Sequence, residues 1–145
     1  MISRSQAAFH LHNKLERYLQ QKNVDYTIDK DGDIVLQQGS TQVFVRAVDW
    51  SESQTVVRLF SPISLQITRF SSEIGQRILE ENYKLLFGKF SLDTNNKTIW
   101  FEHALLGDYI DPEEFISAIV AIAMTADEYD EMISNMVGGK RAIDL

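Results

Sequence analysis

Apolar residues recur along this chain at two periods. From Ser5 to Lys22, Ala8, Leu11, Leu15, Tyr18 and Leu19 are spaced by three and four, which gathers them on one stripe of a helix. Ser3 or Ser5 supplies a hydroxyl to cap its start. Beyond Lys22 the period drops to two. Val24–Ile28, Ile34–Leu36, Thr41–Trp50 and Thr55–Ser61 read as strands, with turns at Asp31-Gly32 and Gly39-Ser40 where glycine supplies a positive φ. In Thr41–Trp50, Val43, Val45 and Ala47 point one way, and Phe44, Arg46 and Val48 the other. Pro62 has no N–H for a ladder and is expected to end the fourth strand or hold it at an edge.

Helical spacing returns in Ser71–Asn82, where Ile74 and Ile78 share a face and Gly75 costs about 1 kcal/mol relative to alanine. Leu85–Asp93 and Thr98–Leu106 follow as a strand pair around a turn at Thr94–Lys97. Ile99, Phe101, His103 and Leu105 lie on one face of the second. The last helix is the most strongly marked. Asp111 caps it, Pro112 takes the first helical position, and Glu113 and Glu114 meet the positive end of the helix dipole. Phe115, Ile119, Ile122, Ala126, Tyr129, Ile133 and Met136 continue the stripe to a stop at Gly138-Gly139, a span of about 39 Å. The order is helix, three or four strands, helix, two strands and helix, α-βββ-αββ-α in outline, and it describes an α+β fold with helices packed against an antiparallel sheet. One domain is expected over residues 1–139, followed by a tail at 140–145.

Composition narrows the function classes. The 145 residues carry 14 Lys and Arg against 21 Asp and Glu, a formal net charge of −7, which disfavours a general nucleic-acid binder. There is no cysteine, so disulfides, thiolate catalysis and cysteine zinc sites are excluded. The most apolar stretch, Phe115–Met124, is about half the ~20 residues that a bilayer span needs. Met1–Gln6 lacks the apolar region of a secretory signal. A cytoplasmic protein is expected, with neither nucleic acid nor membrane as partner.

Reactive constellations are sparse. Asp29-Lys30-Asp31-Gly32-Asp33 has the look of a calcium loop, but counting from Asp29 places Gly32 fourth and Ser40 twelfth, where an EF-hand needs glycine sixth and glutamate twelfth; a hairpin turn explains the residues. His10 and His12 point apart on a helix and cannot chelate one metal. His103 stands alone on an apolar strand face, read as a hydrogen-bonded, partly buried residue. No nucleophile elbow or glycine-rich phosphate loop is present, and Gly88 reads as a bulge or a close backbone approach. Asp127, Glu128, Asp130 and Glu131 read as a solvated acidic face. An enzyme built from Asp108, Asp111 or His103 near the Leu106-Gly107-Asp108 turn is the lowest-ranked alternative, since Asp111 already serves as a cap. No catalytic, cofactor-binding or metal-binding residue is assigned, and no enzyme is expected.

Apolar surfaces carry more information. Phe115–Met124 is apolar nearly all round, so it needs covering on more than one side, by the first helix or by a second subunit. Ile116, Val120 and Met124 are the candidate dimer contact. Around Pro62, where a strand ends, Phe60, Ile63, Leu65 and Ile67 are candidates for an exposed protein-binding surface. Trp50, Trp100, Phe44, Phe87 and Phe101 add aromatics on or near the sheet, without the basic interleaving of a base-stacking platform.

Three stretches taken together carry a family resemblance. They are Thr55-Val56-Val57-Arg58-Leu59-Phe60-Ser61-Pro62, Leu85-Leu86-Phe87-Gly88-Lys89-Phe90-Ser91-Leu92-Asp93, and Asp111-Pro112-Glu113-Glu114-Phe115 running to Ala126-Asp127-Glu128-Tyr129-Asp130. In this order the chain resembles the YbjN family, whose domain is similar in fold to type III secretion chaperones. The resemblance covers roughly Val24 to Gly139. It implies a small cytoplasmic, non-catalytic, often dimeric protein that binds other proteins, in a family also labelled as sensory transduction regulators. The resulting expectation is a chaperone-like or regulatory module that buries apolar segments of a protein partner. The alternative is a homodimeric small-ligand-binding or signalling regulator.

Overall fold

The alternation of apolar and polar residues builds a sheet with one dry face. The computed structural model describes residues 4–145; Met1 to Ser3, including the alternative cap Ser3, lie outside the described residues. Helix α1 (Gln6–Gln21) is capped by Ser5, whose Oγ accepts the Ala8 N–H at 3.0 Å. Four strands follow: β1 (Thr27–Ile28), β2 (Ile34–Gln38), β3 (Thr41–Asp49) and β4 (Thr55–Ser64). Then come α2 (Ser72–Lys84), β5 (Lys89–Asp93), β6 (Thr98–Leu106), α3 (Pro112–Val137) and a short 3-10 turn at Ala142–Asp144. The six strands form one antiparallel sheet in the order β1-β2-β3-β4-β6-β5. The α+β class and the expected element order hold, with a two-residue β1 ahead of the three long strands.

Val43, Val45 and Ala47 of β3, Val57, Leu59 and Ile63 of β4, and Ile99 and Phe101 of β6 point to the face that α1 and α3 cover. Leu11, Leu15 and Leu19 of α1 and Phe115, Ile119, Ile122, Ala126 and Ile133 of α3 complete this core. Tyr18 Oη donates to the Ile110 carbonyl at 3.1 Å, and Lys22 pairs with Glu113 at 2.5 Å, fixing α1 beside the start of α3. Asp111 Oδ1 accepts the Glu114 N–H at 2.8 Å with Pro112 next in sequence, and Gly138 closes α3 in the left-handed region. The segment expected as a tail is tied in: Leu65 and Lys140 exchange both backbone hydrogen bonds at 2.8 Å.

Three boundaries differ from the sequence reading, each for a local reason. Pro62 does not end β4, which runs on to Ser64 with a bulge. The Trp50 N–H donates to Gln54, so even-numbered β4 residues turn their backbone groups toward β3. β3 pairing stops at Phe44–Phe60, and the missing N–H of Pro62 therefore faces a side with no ladder to break. Val24–Asp25–Tyr26 stay outside any strand, because β2 pairs back only as far as Thr27. Leu85–Gly88 form a loop, and β5 begins at Lys89. Gly88 has φ +79°, and a Cβ there would lie 2.5 Å from the Phe101 ring, so it is a close backbone approach.

Candidate functional site

Among the described residues, no helix covers the second face of the sheet. Its floor is set by the even-numbered residues of β3, β4 and β6. Phe44 and Phe60, paired across β3 and β4, stack with ring centroids 5.4 Å apart and 13° between planes. Trp100 of β6 meets Phe60 edge-on at 5.8 Å. The result is a three-ring row across the central strands, half-buried and open to solvent on one side.

Two guanidinium groups bracket the middle ring. Arg46 lies 5.2 Å and Arg58 5.5 Å from the Phe60 centroid. They sit directly opposite each other across β3 and β4, a like-charge pair that needs neutralising. Asp33 does this for Arg46 through a two-pronged pair, Oδ1 to Nε at 2.8 Å and Oδ2 to Nη2 at 2.6 Å. Those bonds hold the guanidinium above its ordinary range. Glu102 stands 3.7 Å from Arg58 and accepts a 2.6 Å hydrogen bond from Ser91. The row and its charges line an open cleft of about 990 Å³, bordered by the β1–β2 turn at one end and the β5–β6 turn at the other. Asp29, Asp31 and Asp93 put negative charge on that border.

The β1–β2 turn also brings one carboxylate oxygen each from Asp29, Asp31 and Asp33 within 4.8 Å of one another. These oxygens already have work. Asp29 Oδ1 accepts the Asp31 and Asp33 N–H groups, both at 2.9 Å, and Asp33 gives both oxygens to Arg46. The arrangement is a hairpin turn that positions an ion pair, and a cation would have to displace Arg46 from Asp33.

The remaining candidates are engaged in folding contacts. Asp108 Oδ1 accepts the Thr55 N–H and hydroxyl at 3.0 and 2.7 Å, and Asp111 caps α3. His103 Nδ1 accepts the Gly88 N–H at 3.2 Å; burial, then Lys89, lowers its pKa from the ordinary histidine value. His12 is buried and meets Glu16 at 2.9 Å. Burial and Arg4 lower its pKa more than Glu16 raises it. Its Nδ1 has no partner among the described residues.

The expectation of a fully solvated acidic face is corrected. Asp127 Oδ1 accepts the Ser40 N–H and hydroxyl at 2.8 and 2.7 Å, and the buried Asp130 also bonds that hydroxyl. Two of the four carboxylates thus clasp the β2–β3 turn.

The four residues expected to form an exposed strip do not share a surface. Phe60 lies at the centre of the open aromatic row. Ile63 is 0% exposed, because odd-numbered β4 residues face the helices. Leu65 bridges to Lys140, and Ile67 packs against the core while its N–H donates to Lys97. Phe44 and Trp100 were legible as sheet aromatics but not as Phe60's partners. The even phase they share with Phe60 is the signal that links them, once β3–β4 and β4–β6 register is known. On α3, Ile116 is partly buried, while Val120 and Met124 are 49% and 60% exposed.

Among solved structures the fold has clear counterparts. The ExsC–ExsE complex matches with a TM-score of 0.64 at 12% identity, covering 87% of this chain and 95% of the other. The Yersinia pestis type III secretion chaperone SycH, solved with a stable fragment of YscM2, matches with a TM-score of 0.55 at 12% identity over 80% and 96% of the two chains. YbjN from E. coli gives 0.55 at 14% identity over 83% and 91%. No curated protein matches by sequence. A family model described as T3SS (YopN, CesT) and YbjN peptide-binding chaperone 1 matches residues 6–145, and the chain belongs to that family.

Proposed function

We propose that this protein holds an apolar segment of a partner protein against the open face of its sheet, as a chaperone-like or regulatory module of the cytoplasm. The observation that carries this is the Phe44–Phe60–Trp100 row, three aromatic side chains kept at a solvent-facing surface in a peptide-binding chaperone family. The rings offer apolar area with little rotamer entropy to lose. Asp29, Asp31 and Asp93 at the ends of the cleft favour a segment with basic flanks. The complexes of ExsC with ExsE and of SycH with a YscM2 fragment support a polypeptide as occupant. Of Phe60, Ile63, Leu65 and Ile67, the candidates around Pro62, Phe60 keeps this role.

A photo-crosslinking amino acid at Trp100, compared with one at exposed Gln76 on α2, tests the reading at native expression level. A protein adduct specific to position 100 is the expected result. Identical adduct patterns at both positions would remove the open face from consideration.

A second reading has its own observation. Val120 and Met124, four apart on the outer side of α3 beside Ile116, leave an apolar strip in water. A second copy of the chain would cover it and make a homodimer, with a signalling or small-ligand role at the interface.

A further inference from the structure

The helix-covered side of the sheet is not completely filled. His103 and Leu105 of β6 pair with Leu59 and Val57 of β4, so their side chains share the face that carries the core. The α3 residues on that side, Ala118 and Ala121, are small and leave space beside them. The chain turns at Gly88, with φ +79°, and Phe87 stands edge-on to the His103 ring at 6.1 Å. What remains is a cavity of about 270 Å³, lined by Phe87, His103, Leu105, Glu114, Ala118 and Ala121. It lies on the opposite face of the sheet from the Phe44–Phe60–Trp100 row.

Two groups in this mostly apolar lining have hydrogen-bonding capacity to spare. His103 Nδ1 accepts the Gly88 N–H at 3.2 Å, so the neutral ring carries its proton on Nε2. Burial favours that neutral form by lowering the pKa. Nε2 donates to no partner among the described residues, yet it is not sealed from solvent. Glu114 gives its backbone N–H to the Asp111 cap, while its exposed carboxylate makes no ion pair among the described residues. The nearby Glu113 is paired with Lys22. Lys89, paired across strands with Glu102, belongs to the bare face and does not line the cavity. The lining thus presents a donor, an anion and an apolar wall, which complement an acceptor, a cation and a ring.

Size limits the ligand further. A space of about 150 Å³ takes a benzene-sized molecule, and the remainder here holds about four more heavy atoms at ~30 Å³ each. We propose that this cavity binds a small one-ring aromatic amine carrying an oxygen on the ring. The ring lies against Phe87, Leu105 and the two alanines; the oxygen accepts from His103 Nε2, and the ammonium meets Glu114. The inference goes beyond the polypeptide-holding reading and uses a different face of the sheet.

The test titrates tyramine into the full chain at neutral pH and follows the His103 ring nitrogens and the backbone amides by NMR. Saturable binding with a Kd of about 1 mM or tighter is expected, with shifts at His103 Nε2 and at the Ala118 and Ala121 amides. Phenethylamine, which lacks the oxygen, should bind about fivefold more weakly. 4-Hydroxyphenylacetate, which carries a carboxylate in place of the ammonium, should bind at least about tenfold more weakly than tyramine. Glu114→Gln should narrow that preference for the amine several-fold. Ala121→Phe fills the cavity and should abolish binding; the Glu114 variant lies on the exposed first turn of α3 and does not depend on the Ala121 variant folding. No saturation below about 10 mM, saturation that leaves His103 Nε2 unmoved, equal binding of amine and acid, or indifference to both substitutions would overturn the proposal. So would the same shifts appearing with rising protein concentration in the absence of tyramine, which would give the cavity to a second copy of the chain. None of these outcomes touches crosslinking at Trp100, so the two readings fail separately.

Discussion

Asp33 is 2% exposed and shares both carboxylate oxygens with Arg46, whose side chain keeps a route to water. Removing the acid leaves a guanidinium beside Phe60 and opposite Arg58 without its partner. Asp33→Ala should therefore cost about 3 kcal/mol, the low end for breaking a buried pair, measured as a shift in urea unfolding. His12 supplies a second prediction at this scale. Burial lowers its folded-state pKa below 6.5, so the unfolded chain binds its proton more readily. Stability present above pH 6.5 is lost as pH falls through the folded pKa. His12→Leu should flatten that loss in denaturation midpoints followed downward from pH 6.5; an unchanged slope would show that His12 does not control it. His103, lowered by burial and by Lys89, acts in the same direction and remains in the variant as the residual slope. Single residues were legible where their partners are local: Ser5 and Asp111 as caps, Gly138 as the helix stop. Asp130 was not, because the Ser40 hydroxyl that turns it inward is 90 residues away in sequence. His12 was legible as a helical residue facing away from His10, but its burial depends on where α1 lands on the sheet.

At the scale of elements, period alone recovered the helices and the long strands, since each buries one stripe or one face. It failed where a strand's fate depends on its neighbour. Ile63 continues the odd phase of Val57 and Leu59, and that phase faces the helices, so counting outward from Pro62 placed a core side chain on the surface. Leu85–Gly88 has strand-like composition, but the chain turns at Gly88 before reaching the rest of β6. Gly88→Ala tests this directly. It forces a side chain into φ +79° and puts a Cβ against the Phe101 ring, with Ile122 Cδ1 at 3.0 Å. The penalty should exceed ~1 kcal/mol, because strain adds to the clash. Thermal unfolding of the variant measures it, and a neutral result would mean that the loop can leave Phe101 without cost.

For the whole molecule, the division of labour follows from having one helix-covered sheet face and one bare one. The covered face carries stability, so substitutions on the bare face separate binding from folding. Trp100→Ala removes a half-buried ring outside the core cluster. It should abolish partner adducts formed from a crosslinker at Phe44 while costing less than the ~3–5 kcal/mol of a buried tryptophan truncation. Adducts that survive it would place the partner elsewhere. The outer side of α3 makes the other whole-molecule prediction. If Val120 and Met124 are covered by a second copy, sedimentation should give a concentration-dependent mass rising toward twice 16.6 kDa. Val120→Asp with Met124→Lys should hold the mass at one chain. Both positions are solvent-facing in the single chain, so the unfolding midpoint extrapolated to low concentration should stay near that of the parent. A mass that remains at one chain for the parent protein at high concentration leaves the strip bare and removes the dimer. Persistence of the larger mass in the double variant would instead move the contact off α3, toward the open sheet face where Arg58 and Glu102 lie side by side and a two-fold axis could pair each with its opposite.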